Sequence, residues 1–288
     1  MLHLRRNSRR GRHLDKKALI IGIDGCRPDS LLAAKTPTID SLKARGAYSF
    51  KAQACRFTKS GPCWTSMLTG TWPEKHGVVN NSFEGFKPES YPHFFQRLKE
   101  AKPGVRTASI VHWAPINTHL VRGADIVGTY PTDDEVVTAV SRVLTTDNVD
   151  ALYLHFDDAD GAGHKNGYGP NQAYLDMLAV IDSRIASILK ALKSRKSYSK
   201  ENWLVLVSTD HGGETEKAPG AVKARHGDDV PEQRTIFVIV SGNAAKKGEI
   251  LPAPNSVDVP QTVLSHLGVA VRPEWGWDGR PVGLQGTR

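Results

Sequence analysis

The chain has 288 residues, 39% of them apolar and 24% charged, the balance of an ordinary globular protein with a sizeable core. No run approaches the ~18–20 apolar residues needed to cross a bilayer, so no transmembrane segment is readable. The net charge of +8 is concentrated at one end and says little about the body of the chain.

Residues 1–17 hold Arg5, Arg6, Arg9, Arg10, Arg12, Lys16 and Lys17 against one acid, Asp15. They lack apolar periodicity and read as a disordered basic tail, able to make weak contacts with an anionic surface or nucleic acid. Arg9-Arg10 fails as a targeting signal, because the apolar run that follows, Ala18–Ile23, is too short and ends in Gly and Asp. That run reads instead as a buried strand. Thr36-Pro37 opens a helix, with Pro at its first position, and Gly46 closes it. Pro62 to Thr69 reads as a short helix with Gly70 just past its end, Tyr91–Lys102 as another, and Thr107–Val111 as a short β-type run. Thr132 can cap a helix whose first turn, Asp133, Asp134 and Glu135, suits the helix dipole. Ala151–Phe156 is a second buried strand. The clearest helix runs from about Asn171 to Arg195, where Leu178, Ile181, Ile185, Ile188 and Leu192 form one stripe. Trp203–Thr209 and Thr235–Val240 are further buried strands, and Asp258–Leu267 is a last helix ended by Gly268.

This alternation predicts an α/β three-layer sandwich, a mostly parallel central sheet with helices on both faces. No repeat or Pro/Gly/Ser linker divides the chain, so residues 18–288 read as a single domain. Cys26, Cys55 and Cys63 are odd in number and contain no Cys-x-x-Cys pair, which argues against a disulfide framework or zinc ribbon. With no readable signal, this favours the cytoplasm.

Asp24, Asp160 and Asp210 each follow a buried-strand run, and in a parallel sheet such positions converge at the carboxyl edge. With His164, His211 and His226 they suffice for two divalent metal sites of three protein ligands each, with positions left open for chemistry. Ser60 lies just before the helix signalled by Pro62, where backbone N–H groups favour an anion. A serine is a poor nucleophile without a base or metal. No base is adjacent, but a metal held by Asp24, Asp210 and His211 could serve; the plain alternative is a helix-capping serine. In Asp157-Asp158-Ala159-Asp160-Gly161-Ala162-Gly163-His164, an Asp and a His four apart can face one metal, and the glycines allow tight turns. A solvated acidic loop is the alternative, and which acid is the ligand stays open. In Asp210-His211-Gly212-Gly213 the glycines offer no core contact, and a buried strand rarely ends on two titratable groups unless they are used. His226, in Arg225-His226-Gly227-Asp228, would alone be an ordinary loop histidine. His3, His13, His76, His93, His112, His119, His155 and His266 read as structural or surface residues.

Taken in order, these segments resemble the alkaline phosphatase superfamily, and within it the nucleotide pyrophosphatase/phosphodiesterase branch. The matching stretches are Ile21 through Asp29, Lys59-Ser60-Gly61-Pro62, Leu68 through Val78, Asn80-Asn81-Ser82, Asp160 through Gly167, Asp210-His211-Gly212 and His226-Gly227. Each alone is common; all seven in family order are specific. The resemblance implies that Asp24, Asp210 and His211 hold one zinc, which also binds the nucleophile Ser60, where the family usually has Thr. It implies that Asp160, His164 and His226 hold a second zinc, which activates water. It selects Asp160 among the three acids, and makes Asn81 the donor to a nonbridging phosphoryl oxygen. Two departures narrow the reading. Ser60-Gly61-Pro62-Cys63-Trp64 lacks the Arg of a formylglycine sulfatase motif. Neither the Arg nor the magnesium site of the superfamily's phosphomonoesterases is visible, which leans toward diesters. The intervals from Asn81 to Ala151 and from His211 to His226 are short, so a minimal cap or none, and an open site, are expected.

The implied reaction is phosphodiester hydrolysis by two divalent ions, zinc by ligand type, through a covalent Ser60 phospho-enzyme. Phosphonate, phosphomonoester or sulfate-ester hydrolysis on the same site is the second reading. A nucleic-acid-binding module using the basic head is the third, and it leaves the ordered Asp/His clusters unexplained. Substrate choice is expected to lie in Phe83–Pro92 and Trp113–Gly128, which contain no readable motif.

Overall fold

The computed structural model describes residues 14–218 and 221–286. The first strand, β1, spans Asp15–Ile23 and starts three residues ahead of the expected Ala18. Lys17 is therefore not a tail residue. It is buried, and its Nζ donates to Asn148 Oδ1, Val149 O and Asp150 Oδ1, each at 2.9 Å; three acceptors make burial of the ammonium tolerable. The expectation of a basic tail otherwise falls on residues 1–13, outside the described residues.

After β1 come α1 (Pro28–Ala33), α2 (Pro37–Arg45), β2 (Ala47–Gln53), α3 (Ser60–Thr69), α4 (Pro73–His76), α5 (Phe94–Ala101), β3 (Thr107–Val111), β4 (Ile126–Thr129) and α6 (Asp133–Thr146). Then follow β5 (Ala151–Phe156), α7 (Asp158–Asn166), α8 (Gln172–Lys193), β6 (Glu201–Ser208), β7 (Glu214–Ala218), β8 (Ala221–Arg225), α9 (Pro231–Arg234), β9 (Thr235–Ser241), β10 (Gly248–Glu249) and α10 (Asp258–His266). Eight strands form one sheet in the order β10-β2-β9-β6-β1-β5-β3-β4, and β7 pairs only with β8. Within the large sheet only β9 runs against the others.

Alternate residues of the central strands enter opposite cores, as the period of two requires. Ile20, Tyr153, Leu204 and Leu206 pack with Met67 of α3, Phe94 and Phe95 of α5 and Val263 of α10. Leu19, Ile21, Leu152, Leu154 and Val207 pack with Leu31, Ile39, Val136 and the whole predicted α8 stripe. The three-layer sandwich is as expected, and no cap domain is built from the described residues.

Several elements depart from expectation. The helix α3 begins at Ser60 itself, not at Pro62. The glycine-containing acidic stretch is not a loop but the helix α7. The helix at 91–102 is shorter, because the His93 side chain accepts from Phe95 N and caps it. The strands β2, β4, β7, β8 and β10 carried no readable signal, being polar, short or at sheet edges.

Candidate metal centre

The expected residues gather at the carboxyl edge of β1, β5 and β6. Asp24 follows β1, and Asp210 and His211 follow β6; all three are buried. His211 Nε2 lies 3.5 Å from Asp24 Oδ1 and 3.3 Å from Asp210 Oδ2. Ser60 Oγ lies 3.4 Å from that same nitrogen and 3.5 Å from Asp24 Oδ1. Beside this group, α7 places Asp160 and His164 one turn apart on one face, with His164 Nε2 3.2 Å from Asp160 Oδ2. His226, just after β8, brings its Nε2 to 3.1 Å from His164 Nε2 and 3.8 Å from Asp160 Oδ1. The His211 and His226 rings stack with centroids 4.0 Å apart. The hairpin β7–β8 thus leaves one group at His211 and returns to the other at His226.

Backbone carbonyls orient two of the imidazoles. His211 Nδ1 lies 2.8 Å from Gly212 O, and His226 Nδ1 lies 2.8 Å from Thr58 O. A donor at Nδ1 leaves the Nε2 lone pair facing the acids, the usual arrangement of a metal-ligating histidine. Asp210 Oδ2 is buried with no hydrogen-bond partner. An orphaned carboxylate oxygen beside imidazole lone pairs is unfavourable, and a cation satisfies both. The ligand atoms of Asp24, Asp210 and His211 lie within 4.8 Å of one another and could share one ion, and the same holds for Asp160, His211 and His226.

The electrostatics agree. Burial, then repulsion from Asp210 and Asp160, raises Asp24 well above the carboxylate range. Burial and the Asp160 charge do the same to Asp210. Burial would also raise Asp160, but the hydrogen bond from His164, the neighbouring imidazoles of His211 and His226 and the hydrogen bond from Tyr168 outweigh it and hold Asp160 low. Burial presses His226 down to about 3.

Ser60 occupies the first turn of α3, whose N-cap is Lys59. Gly61 N donates to Asn81 Oδ1 at 2.8 Å, which leaves the Asn81 amide as a donor. A Cβ at Gly61 would stand 2.6 Å from Asn80 O, so only glycine lets the Asn80-Asn81 loop close on the helix start.

Sequence reasoning missed the groups that hold these side chains. Trp64 Nε1 donates to Asp24 Oδ2 at 2.9 Å, and His155 Nε2 lies 3.0 Å from the same oxygen. His155 is thus a site residue, contrary to the expectation; its signal was a lone imidazole in an otherwise apolar strand. Trp113 N donates to its Nδ1 at 3.4 Å, so Nε2 carries the proton toward Asp24. Tyr168 OH donates to Asp160 Oδ1 at 2.5 Å. Of the neighbouring acids, Asp158 turns away to Arg184 at 2.7 Å. The glycines after His211 also have a packing role that the sequence reading denied: a Cβ at Gly213 would meet the Tyr168 ring at 2.4 Å, and one at Gly212 would meet Glu232 O at 2.3 Å.

An α/β sandwich with paired acid and imidazole groups at its carboxyl edge, around a serine on a helix N-terminus, defines the alkaline phosphatase-like class of hydrolases. The chain belongs to the type I phosphodiesterase/nucleotide pyrophosphatase family, whose model matches residues 18–262. It is 24% identical over 226 residues to rat (Rattus norvegicus) ectonucleotide pyrophosphatase/phosphodiesterase family member 7, covering 70% of this chain and 51% of that protein. It is 24% identical over 220 residues to the bis(5'-adenosyl)-triphosphatase of Pongo abelii, covering 69% of this chain and 48% of that one. The chain therefore spans about half the length of these curated relatives. Among solved structures, an inactive variant of murine ectonucleotide pyrophosphatase/phosphodiesterase 5 in complex with AMP superposes with a TM-score of 0.73 at 15% identity, over 90% of this chain and 96% of that one. A 2-O GAG sulfatase superposes with a TM-score of 0.71 at 16% identity, over 93% of this chain and 73% of that one.

Proposed function

We propose that the chain hydrolyses phosphodiester or pyrophosphate bonds of small nucleotide-like substrates, with Ser60 as nucleophile. The observation that carries this reading is the placement of Ser60 Oγ within 3.5 Å of both Asp24 Oδ1 and His211 Nε2, at the positive end of α3. Asp24, Asp210 and His211 would hold one divalent ion; Asp160, His164 and His226 would hold a second, zinc by its ligand set. When bound, such ions stabilise charge on the attacking and leaving oxygens and activate water. Ser60 Oγ attacks the phosphorus in line with the leaving oxygen; as the new P–O bond forms, the P–O bond to the leaving group breaks, and the serine proton passes by way of solvent to the departing oxygen. The Asn81 amide and the free N–H of Ser60 donate to a nonbridging oxygen as charge develops there. Water then attacks the Ser60 phosphoester, restoring the serine and releasing the phosphate product. Trp64 and His155 hold Asp24 Oδ2, leaving Oδ1 turned to Ser60. The AMP complex of the murine relative supports a nucleotide substrate.

The test is a zinc-replete panel of bis-p-nitrophenyl phosphate, p-nitrophenyl phosphate, p-nitrophenyl sulfate and phosphonoacetate. The diester is expected to turn over fastest. Ser60→Ala should lower that rate roughly 10⁴–10⁶-fold, the scale of losing a nucleophile, while metal analysis still finds about two ions per chain. Wild-type rates in Ser60→Ala would overturn the covalent step. A faster monoester, sulfate or phosphonate rate would move the substrate class to the alternative reading.

A further inference from the structure

We infer that Cys55 and Cys63 close to a disulfide when the chain folds in the presence of an oxidant such as oxidised glutathione. Their sulfurs lie 2.9 Å apart. Cys55 sits in the segment after β2, and Cys63 stands three residues beyond Ser60 on α3. Both side chains are buried, so nothing from solvent separates them. Both thiols turn toward one carbonyl: Phe57 O lies 3.1 Å from Cys55 Sγ and 3.4 Å from Cys63 Sγ. That carbonyl already accepts Lys59 N at 2.6 Å, so two S–H donors compete for a shared acceptor and oxidation removes both without orphaning it. Cys26 has no such neighbour and stays a thiol.

The reaction is thiol–disulfide exchange. One cysteine thiolate attacks a sulfur of oxidised glutathione, forming a mixed disulfide and releasing one glutathione thiolate. The second cysteine thiolate attacks the protein sulfur of that mixed disulfide and releases the other glutathione. Two protein thiols are oxidised and one glutathione disulfide is reduced to two thiols, with the protons passing to solvent. Burial raises the Cys63 thiol well above its ordinary value, so exchange within the folded chain is slow and the bond closes while the chain folds. In a reducing compartment the pair remains as thiols. The cross-link encloses Thr58 and Ser60. Thr58 O accepts His226 Nδ1, and Thr58 Oγ1 accepts Gly227 N at 3.0 Å, so the bond ties together the backbone that presents both the serine and a histidine.

The experiment is to unfold the full chain, refold it in a glutathione redox buffer, alkylate free thiols and map the peptides. A single alkylated cysteine, Cys26, and a linked Cys55–Cys63 peptide are expected, with dithiothreitol under denaturing conditions restoring three alkylated cysteines. The linked form should melt higher than the reduced form. Cys26→Ser, which keeps the pair, should leave no free thiol. Three alkylated cysteines in the refolded chain, or a linkage through Cys26, would overturn the inference. If refolding fails, thiol counting on protein secreted to an oxidising periplasm decides the same way. None of these outcomes depends on metal binding.

Discussion

Asp24 and Asp210 are carboxylic acids held in an environment that opposes their ionisation. Both are buried, and both have raised carboxyl pKa values: Asp24 by burial and then by the charges of Asp210 and Asp160, Asp210 by burial and then by the charge of Asp160. In the metal-free protein such a group favours folding while protonated. That contribution is present at low pH and is lost as pH rises through the raised folded value, where buried like charges repel. Asp210→Asn removes one charge at nearly constant shape. In chelator the variant should therefore melt above wild type at mildly alkaline pH, with the gap closing as pH falls toward the ordinary carboxylate range, ~4. Added zinc should reverse the order, since the variant loses a ligand. A chelated variant melting no higher than wild type would show that repulsion is not what the site stores. At this scale the ligand-type residues were legible, because Asp and His at strand ends are hard to explain as packing. Their supports were not. Trp64 and His155 reach Asp24 from 40 and 131 residues away, and such separations leave no local spacing to read.

The helix α7 exists because its start is fastened from outside. Asp133, read from sequence as a dipole-compensating acid in the first turn of α6, instead turns inward and is fully buried. Its carboxylate accepts Asp157 N at 2.9 Å and Asp158 N at 3.2 Å, caps the first turn of α7, and contacts His112 at 2.8 Å and Arg184 at 3.2 Å. These contacts offset the poor helix propensity of Gly161 and Gly163, which is why the local sequence reads as a loop. Asp133→Ala leaves His112 and two N–H groups without their acceptor, while Arg184 keeps Asp134 and Asp158, and should destabilise by roughly 1–3 kcal/mol, the scale of buried donors left unsatisfied. Denaturant midpoints measure that. A chelator competition should show the Asp160/His164/His226 group weakening more than the Asp24 group, and equal weakening would argue for a general loss of fold only. By contrast α8 was legible almost residue by residue, since the helix spans 22 residues and the period of its apolar stripe owes nothing to distant partners. The hairpin β7–β8 has no apolar alternation, so its joining of His211 to His226 could be read only from the fold.

At the scale of the whole molecule, a cluster of buried acids sits where the central strands of the sheet end. Cations at that edge should therefore stabilise the entire domain. An ion present at 100 times its Kd contributes about 2.7 kcal/mol, which corresponds to a melting shift of roughly 5 °C for a domain of this size. Calorimetry with and without chelator should find at least that drop, and an unchanged melting temperature would argue against tight metal binding. The sandwich and its parallel core were legible because buried strands are continuous apolar runs. The reversed β9 was not, because strand direction leaves no mark in composition. The position of β1 has a consequence in time. It precedes the other described strands of the sheet in the chain, yet it lies between β5 and β6 at the middle of the sheet. Lys17 waits for Val149, 132 residues downstream, roughly 7–26 s at ribosomal speed. Through that interval the apolar run Ala18–Ile23 of β1 has no partner on either side, so the sheet closes late in translation or after it, and the nascent chain must be kept from pairing with its neighbours meanwhile.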